Sequence, residues 1–109
     1  LSPTAIDMIR DDFGFAGVLV SDDLSMGALS GNLAERTVAA LKAGCDVALH
    51  CNGEMDEMQA VAGAATRLGP SSMARIQAAE TLRLNSKTPM SEDYDAAVAR
   101  LEGMLCPAT

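Results

Sequence analysis

Two short apolar runs, Val18-Leu19-Val20 and Val47-Ala48-Leu49, stand one helical crossover apart, and they constrain the fold more than anything else in the 109 residues. From Val18 to Val47 is about the ~30 residues of a βαβ repeat, so the two strands run parallel. A parallel sheet is stable only with both faces covered, and a single pair of strands cannot arrange that alone. The expected class is α/β. The expected architecture is the C-terminal portion of a TIM-type (β/α)8 barrel: its last two β/α units plus trailing helices, with the upstream strands absent. A complete barrel needs roughly 250 residues.

The rest of the chain reads as helix. Ser2-Pro3 supplies an N-cap and a first-turn proline, with Ile6, Ile9 and Phe13 on one face and Gly14 as the stop. The first strand is expected over Val18 to Ser21. Asn32 with Glu35 three residues on forms a capping-box pattern for a second helix, whose inward face is Leu33, Thr37, Val38 and Leu41, closed by Gly44. Asp46 to Cys51 is the second strand. Met55, Met58, Val61, Ala62, Ala65 and Leu68 trace a third helix with an apolar core stripe, and Gly69-Pro70 ends it. A fourth helix spans Ser72 to Leu84, Asn85 to Pro89 is a linker, and Ser91 caps a last helix that uses Tyr94, Val98, Leu101 and Leu105.

Composition narrows the chemistry. Hydrophobic residues make up 49% of the chain, too many for disorder, while aromatics make up 3%, too few for base-stacking surfaces. The formal charge of −7 repels polyanions, so neither nucleic acid nor an acidic membrane is an expected partner. No apolar run approaches the ~20 residues of a membrane span. The three cysteines show no C-x-x-C spacing. Cys45 and Cys51 fall at opposite ends of a strand, roughly 20 Å apart at ~3.3 Å per residue, beyond disulfide reach. A reducing, cytoplasmic setting is therefore expected.

The first strand ends in Asp22-Asp23, at the mouth where α/β folds place their ligands. Strand alternation sends the two side chains to opposite faces. If Val18 and Val20 fill the barrel interior, Asp22 points toward the axis and Asp23 toward the helices, where a loop amide or helix N-terminus would suit it. Only Asp22 is then placed for chemistry.

Gly17-Val18-Leu19-Val20-Ser21-Asp22-Asp23-Leu24-Ser25 resembles the signature of family 3 glycoside hydrolases, a glycine and three aliphatics, then Ser or Thr, then the catalytic Asp. The extended form through Met26 is similar to the bacterial β-N-acetylhexosaminidases of that family that recycle cell wall. So are Ala43-Gly44-Cys45-Asp46 through Asn52-Gly53 and the opening Ser2-Pro3-Thr4 helix. The resemblance implies that residues 1–109 are the C-terminal part of a family 3 catalytic barrel. It further implies a retaining glycosidase that removes terminal non-reducing β-linked N-acetylglucosamine from peptidoglycan turnover fragments, with no metal or organic cofactor. Asp22 would be the nucleophile, the part a carboxylate plays in a retaining mechanism. The family's proton donor, a His-Asp pair on an upstream loop, has no match in this sequence, so the chain alone is expected to be inactive.

Two further residues are candidates to bind substrate. Met26 follows the acidic pair in the mouth loop, and His50 sits near the mouth end of the second strand, though a structural histidine hydrogen-bonded at a strand end is the alternative for it. His50 and Cys51 point opposite ways and make no metal site together. Cys51 reads as a small buried side chain, Met55 and Met58 as core, and Ser21 and Ser25 lack a triad partner set. Two other readings remain: a receiver-like phospho-signalling domain holding a metal with its acidic pair, and a non-catalytic half-barrel interaction module.

Overall fold

The computed structural model describes residues 1–86 and 93–105. The expected element order holds. Helix α1 (Pro3–Asp7) runs on into a π-helical turn (Met8–Asp12), and after it come β1 (Val20–Asp23), α2 (Leu33–Ala43), β2 (Val47–Leu49), α3 (Met55–Ala64), α4 (Pro70–Asn85) and α5 (Tyr94–Leu105). The part of the expected linker beyond Ser86 and the Ser91 cap lie outside the described residues.

Ser2 caps α1 as expected, its Oγ accepting the Ala5 N–H, with Pro3 at the first helical position. The π-helical turn alters the face expected for Phe13. Its N–H reaches back five residues to the Met8 carbonyl, a wider winding that turns Phe13 away from Ile6 and Ile9 and leaves it exposed. Gly14 then reverses the chain at φ +66°.

Strand β1 begins two residues later than the apolar run predicts. The amide of Leu19 donates to the Asp46 carboxylate at 2.9 Å instead of to a strand carbonyl, so the regular ladder starts at Val20. The strands pair in parallel, Val20 with Val47 and Asp23 with Leu49, with an irregularity between. Ser21 explains it. Its Oγ accepts the Leu49 N–H at 2.9 Å where a main-chain carbonyl would otherwise serve, while its own hydroxyl donates to the Asp22 carbonyl. Beyond it the ladder closes through Leu24 N–H to Leu49 O.

Helix α2 carries the capping box in full: Asn32 Oδ1 accepts the Glu35 N–H and Glu35 Oε2 accepts the Asn32 N–H, both at 2.9 Å. Its inward face is rotated from the expected one. Thr37, Ala40 and Ala43 are buried and Val38 is exposed. Small residues win this face because α1 comes close: a Cβ at Gly44 would lie 2.8 Å from Ile6 Cγ2. Thr37 is tolerated there because its hydroxyl donates to the Leu33 carbonyl at 2.7 Å.

Gly44 is doubly constrained, by that approach and by φ +112° at the helix C-cap. Gly44→Ala is therefore expected to cost at least ~1–2 kcal/mol, the penalty for a left-handed L-residue alone. Equilibrium urea denaturation reads this directly, and an unshifted midpoint would mean that the α1–α2 approach is not kept in solution.

Asp46 ties the far end of the sheet together. Its Oδ2 accepts from Arg10 Nη2 at 2.8 Å and from the Leu19 amide, and its Oδ1 from Ser72 Oγ at 2.6 Å and Arg75 Nη1 at 2.8 Å. One carboxylate thus joins the π-helical turn, the entry to β1 and α4 at the start of β2. Arg10 also donates to the Phe15 and Gly17 carbonyls, holding the turn that enters β1.

The buried apolar residues among those described are Leu24, Ala40 and Ala43. The radius of gyration is 19.0 Å, against about 13 Å for a compact domain of this length. One face of the sheet lies open: Val20 is 50% exposed, and Asp22 is exposed beside it. The stripe expected on α3 does not form a core, since Met55 is 63% exposed and Met58 is exposed, and the helix stops at Ala64, short of Leu68, with Gly69-Pro70 starting α4 instead of ending α3. Tyr94, Leu101 and Leu105 of α5 are likewise exposed, with Val98 half-buried. The apolar periodicity is present, but the described residues hold too little structure to cover these helices.

Candidate active site

The mouth of the sheet is built by the loop after β1, the loop after β2 and the first turns of α2 and α3. Asp22 and Asp23 part company there. Asp22 is exposed on the open side of β1, and its Oδ1 accepts the Asp23 N–H at 2.8 Å. Asp23 turns inward. Its Oδ1 accepts the amides of Ser25 (3.0 Å) and Cys51 (3.2 Å), and its Oδ2 accepts the Ser25 hydroxyl. The hydroxyl and amide of Ser25 hold the Asp23 carboxyl below the ordinary Asp range against the opposing effect of burial, with smaller help from the Cys51 amide and the nearby His50. Asp23 is thus occupied with loop amides, as strand alternation predicts.

The loop after β1 is held by Arg36, one turn into α2. Its guanidinium donates to the carbonyls of Leu24, Met26, Leu29 and Gly31 at 2.6–3.2 Å. Sequence reasoning missed this residue. A signal was present: a cation near a helix N-terminus opposes the helix dipole and needs local acceptors to justify it. Met26 is exposed on this clamped loop. A cleft of about 570 Å³ opens between the two loops, lined by Ser25, Asn32, Arg36, Asn52, Asp56 and Glu57 among others. Neither Asp22, Met26 nor His50 lines it. Asn52 shapes its rim, accepting the Glu54 N–H and donating to Glu57.

His50 comes directly after β2 with its side chain 5% exposed, between Asp23 and Glu57. Neither ring nitrogen makes a hydrogen bond to the described residues. Cys51 is exposed, not buried as expected, because β2 ends at Leu49 and its side chain leaves the sheet. Cys45 is half-buried, and burial with the neighbouring Asp46 charge pushes its thiol up, away from nucleophilic use. Among the described residues no cluster of three or more His, Cys, Asp or Glu side chains could hold a metal ion.

A strand whose exposed Asp precedes a second, amide-bound Asp at the mouth of a parallel sheet agrees with the similarity found across the chain. Residues 1–85 match the glycosyl hydrolase family 3 N-terminal domain. The chain belongs to glycosyl hydrolase family 3. That membership displaces the phospho-signalling reading of the acidic pair. Among relatives of this family 3 chain, a β-hexosaminidase of Hydrogenovibrio crunogenus is 36% identical over 83 residues, which cover 74% of this chain and 22% of that protein. One of Idiomarina loihiensis is 38% identical over 71 residues, covering 63% and 22%. One of Thioalkalivibrio sulfidiphilus is 54% identical over 46 residues, covering 40% and 13%. The family 3 chain thus spans about a fifth or less of the length of these relatives. No helix among its described residues is long and apolar enough to cross a membrane.

Proposed function

We propose that the protein is a retaining β-N-acetylhexosaminidase with Asp22 as its nucleophile. Residues 1–109 form the C-terminal part of its (β/α)8 catalytic barrel, and upstream strands cover the face on which Val20 and Asp22 lie open. The observation that carries this reading is the divided acidic pair: Asp23 is bound by loop amides, while Asp22 is exposed at the mouth. The β-hexosaminidase relatives support the sugar class.

In the reaction, an Asp22 carboxylate oxygen attacks the anomeric carbon of a terminal N-acetylglucosamine as the glycosidic C–O bond breaks. The leaving oxygen takes a proton from an acid supplied by polypeptide outside this chain. Water then attacks the same carbon, gives its proton to that group and releases Asp22, so configuration is retained. The amide of Asp23 on Asp22 Oδ1 stabilises the carboxylate and fixes its rotation. No step calls for a metal or an organic cofactor. The substrate is a muropeptide fragment of peptidoglycan turnover in the bacterial cytoplasm. A net charge of −7 disfavours nucleic acid and anionic membranes as partners.

The test is trapping. A fluorinated N-acetylglucosaminide that transfers its sugar slowly and is released more slowly still should leave that sugar on the peptide containing Asp22 in the full-length enzyme. A label on any other side chain would refute the assignment. The 109-residue chain alone should show no turnover of an aryl N-acetylglucosaminide, and clear turnover would refute the need for upstream polypeptide.

A further inference from the structure

His50 is the one histidine of the chain, and the displacement at Asp22 makes no use of it. Its side chain is 5% exposed, and both Nδ1 and Nε2 are buried without a hydrogen bond. Buried polar atoms are nearly always satisfied, so the groups that face this ring bear on what it does. Asp23 Oδ1, from the end of β1, lies 3.9 Å from Nδ1, and Glu57 Oε2, from α3, lies 3.3 Å from Nε2. Both are carboxylates, which only accept. The ring can therefore meet them only as a donor, and it stands between the two at the mouth. The other charged or titratable groups around the mouth are accounted for. Arg36 of α2 is committed to loop carbonyls, Asp56 of α3 lines the adjacent cleft, and Cys51 is the next residue along.

We propose that His50 is a positioning residue for Asp22, its ring bridging the carboxylates of Asp23 and Glu57 across the mouth. The connection to Asp22 is short. Asp23 faces the ring's near side with its carboxylate, 3.9 Å from Nδ1, and donates its own N–H to Asp22 Oδ1 at 2.8 Å. One residue thus both faces the buried ring and orients Asp22. Glu57 anchors the far side, and it is itself braced by the Asn52 side chain. The bridge deepens the reading of Asp22 as nucleophile and rests on it.

The experiment uses the full-length enzyme and an aryl N-acetylglucosaminide. It compares His50→Gln, Glu57→Gln and the double variant, with Asp22→Ala alongside and melting temperatures for each. Each single variant should lower kcat about ten-fold, inside the ~10²-fold that a misplacement of about 1 Å can cost, with KM within about two-fold. The double variant should be no slower than the worse single one, since both cut the same link. The loss should fall on kcat and not on KM, because the ring acts through Asp22 and touches no substrate. Wild-type kcat in His50→Gln, losses that multiply in the double variant, or a loss carried by KM instead of kcat would each overturn the bridge. If His50→Gln does not fold, Glu57→Gln decides, because that side chain is 41% exposed and tolerates the change; wild-type kcat there overturns the bridge as well. Activity surviving in Asp22→Ala would overturn the nucleophile reading itself, while an inactive Asp22→Ala beside an unaffected His50→Gln overturns the bridge alone.

Discussion

Asp22→Ala in the full-length enzyme is expected to lower kcat by at least about 10⁴-fold, the scale of losing a covalent nucleophile, the role proposed for it. Folding should be unaffected, because Asp22 is exposed and its carboxylate accepts only the adjacent Asp23 amide among the described residues. Asp23→Asn should cost far less, about ten-fold. An amide oxygen still accepts from Ser25 N–H and Cys51 N–H, but the charge beside His50 is gone. Steady-state kinetics on the two variants separate the roles. If Asp23→Asn were the dead enzyme and Asp22→Ala the impaired one, the division of labour between these neighbours would be reversed.

The second large effect is on stability. Asp46→Ala is expected to destabilise the protein by about 3 kcal/mol, the low end of what breaking a buried ion pair costs. Asp46 has a side chain 2% exposed, and its loss strands Arg10, 15% exposed, and the more accessible Arg75. The pH dependence has a definite sign. Burial pushes the Asp46 carboxyl up, but the Leu19 amide, the Ser72 hydroxyl and Arg75 outweigh it and hold it below its ordinary value of 3.8. A carboxyl depressed in the folded state contributes stability above its unfolded value and loses it as pH falls through the folded one. Urea midpoints should therefore fall for the wild type as pH drops below 3.8, and fall less for Asp46→Ala. Equal midpoints for the two proteins at neutral pH would show that the hub is dispensable.

The strands, the capping box and the acidic pair were legible because each is written in adjacent residues. Asn32 and Glu35 stand three apart, and alternation from Val20 through Asp23 assigns faces without knowledge of the rest of the fold. What escaped depends on residues far apart in sequence. Nothing near Asp46 announces Arg10, 36 residues before it, or Arg75, 29 after it. The meeting of His50 with Asp23 and Glu57 needs the register of two strands and the direction of a helix. The rotation of the α2 face toward Ala40 and Ala43 comes from how closely α1 approaches, which hydropathy does not encode. Met55 and Met58 were misjudged for a different reason. An apolar stripe states that a helix has a covered side, and the cover need not come from the same stretch of chain.

The Ser21 hydroxyl has a consequence beyond the sheet. The register of β1 against β2 depends on a side-chain oxygen taking the Leu49 amide, not on main-chain pairing alone. Tolerance at this position is accordingly confined to side chains that offer a hydroxyl at the same reach. Losing that one atom would orphan the amide it holds and free β2 to slip, carrying its trailing loop past the acidic pair at the mouth. The geometry of the mouth is thus staked on a single hydroxyl buried within the sheet.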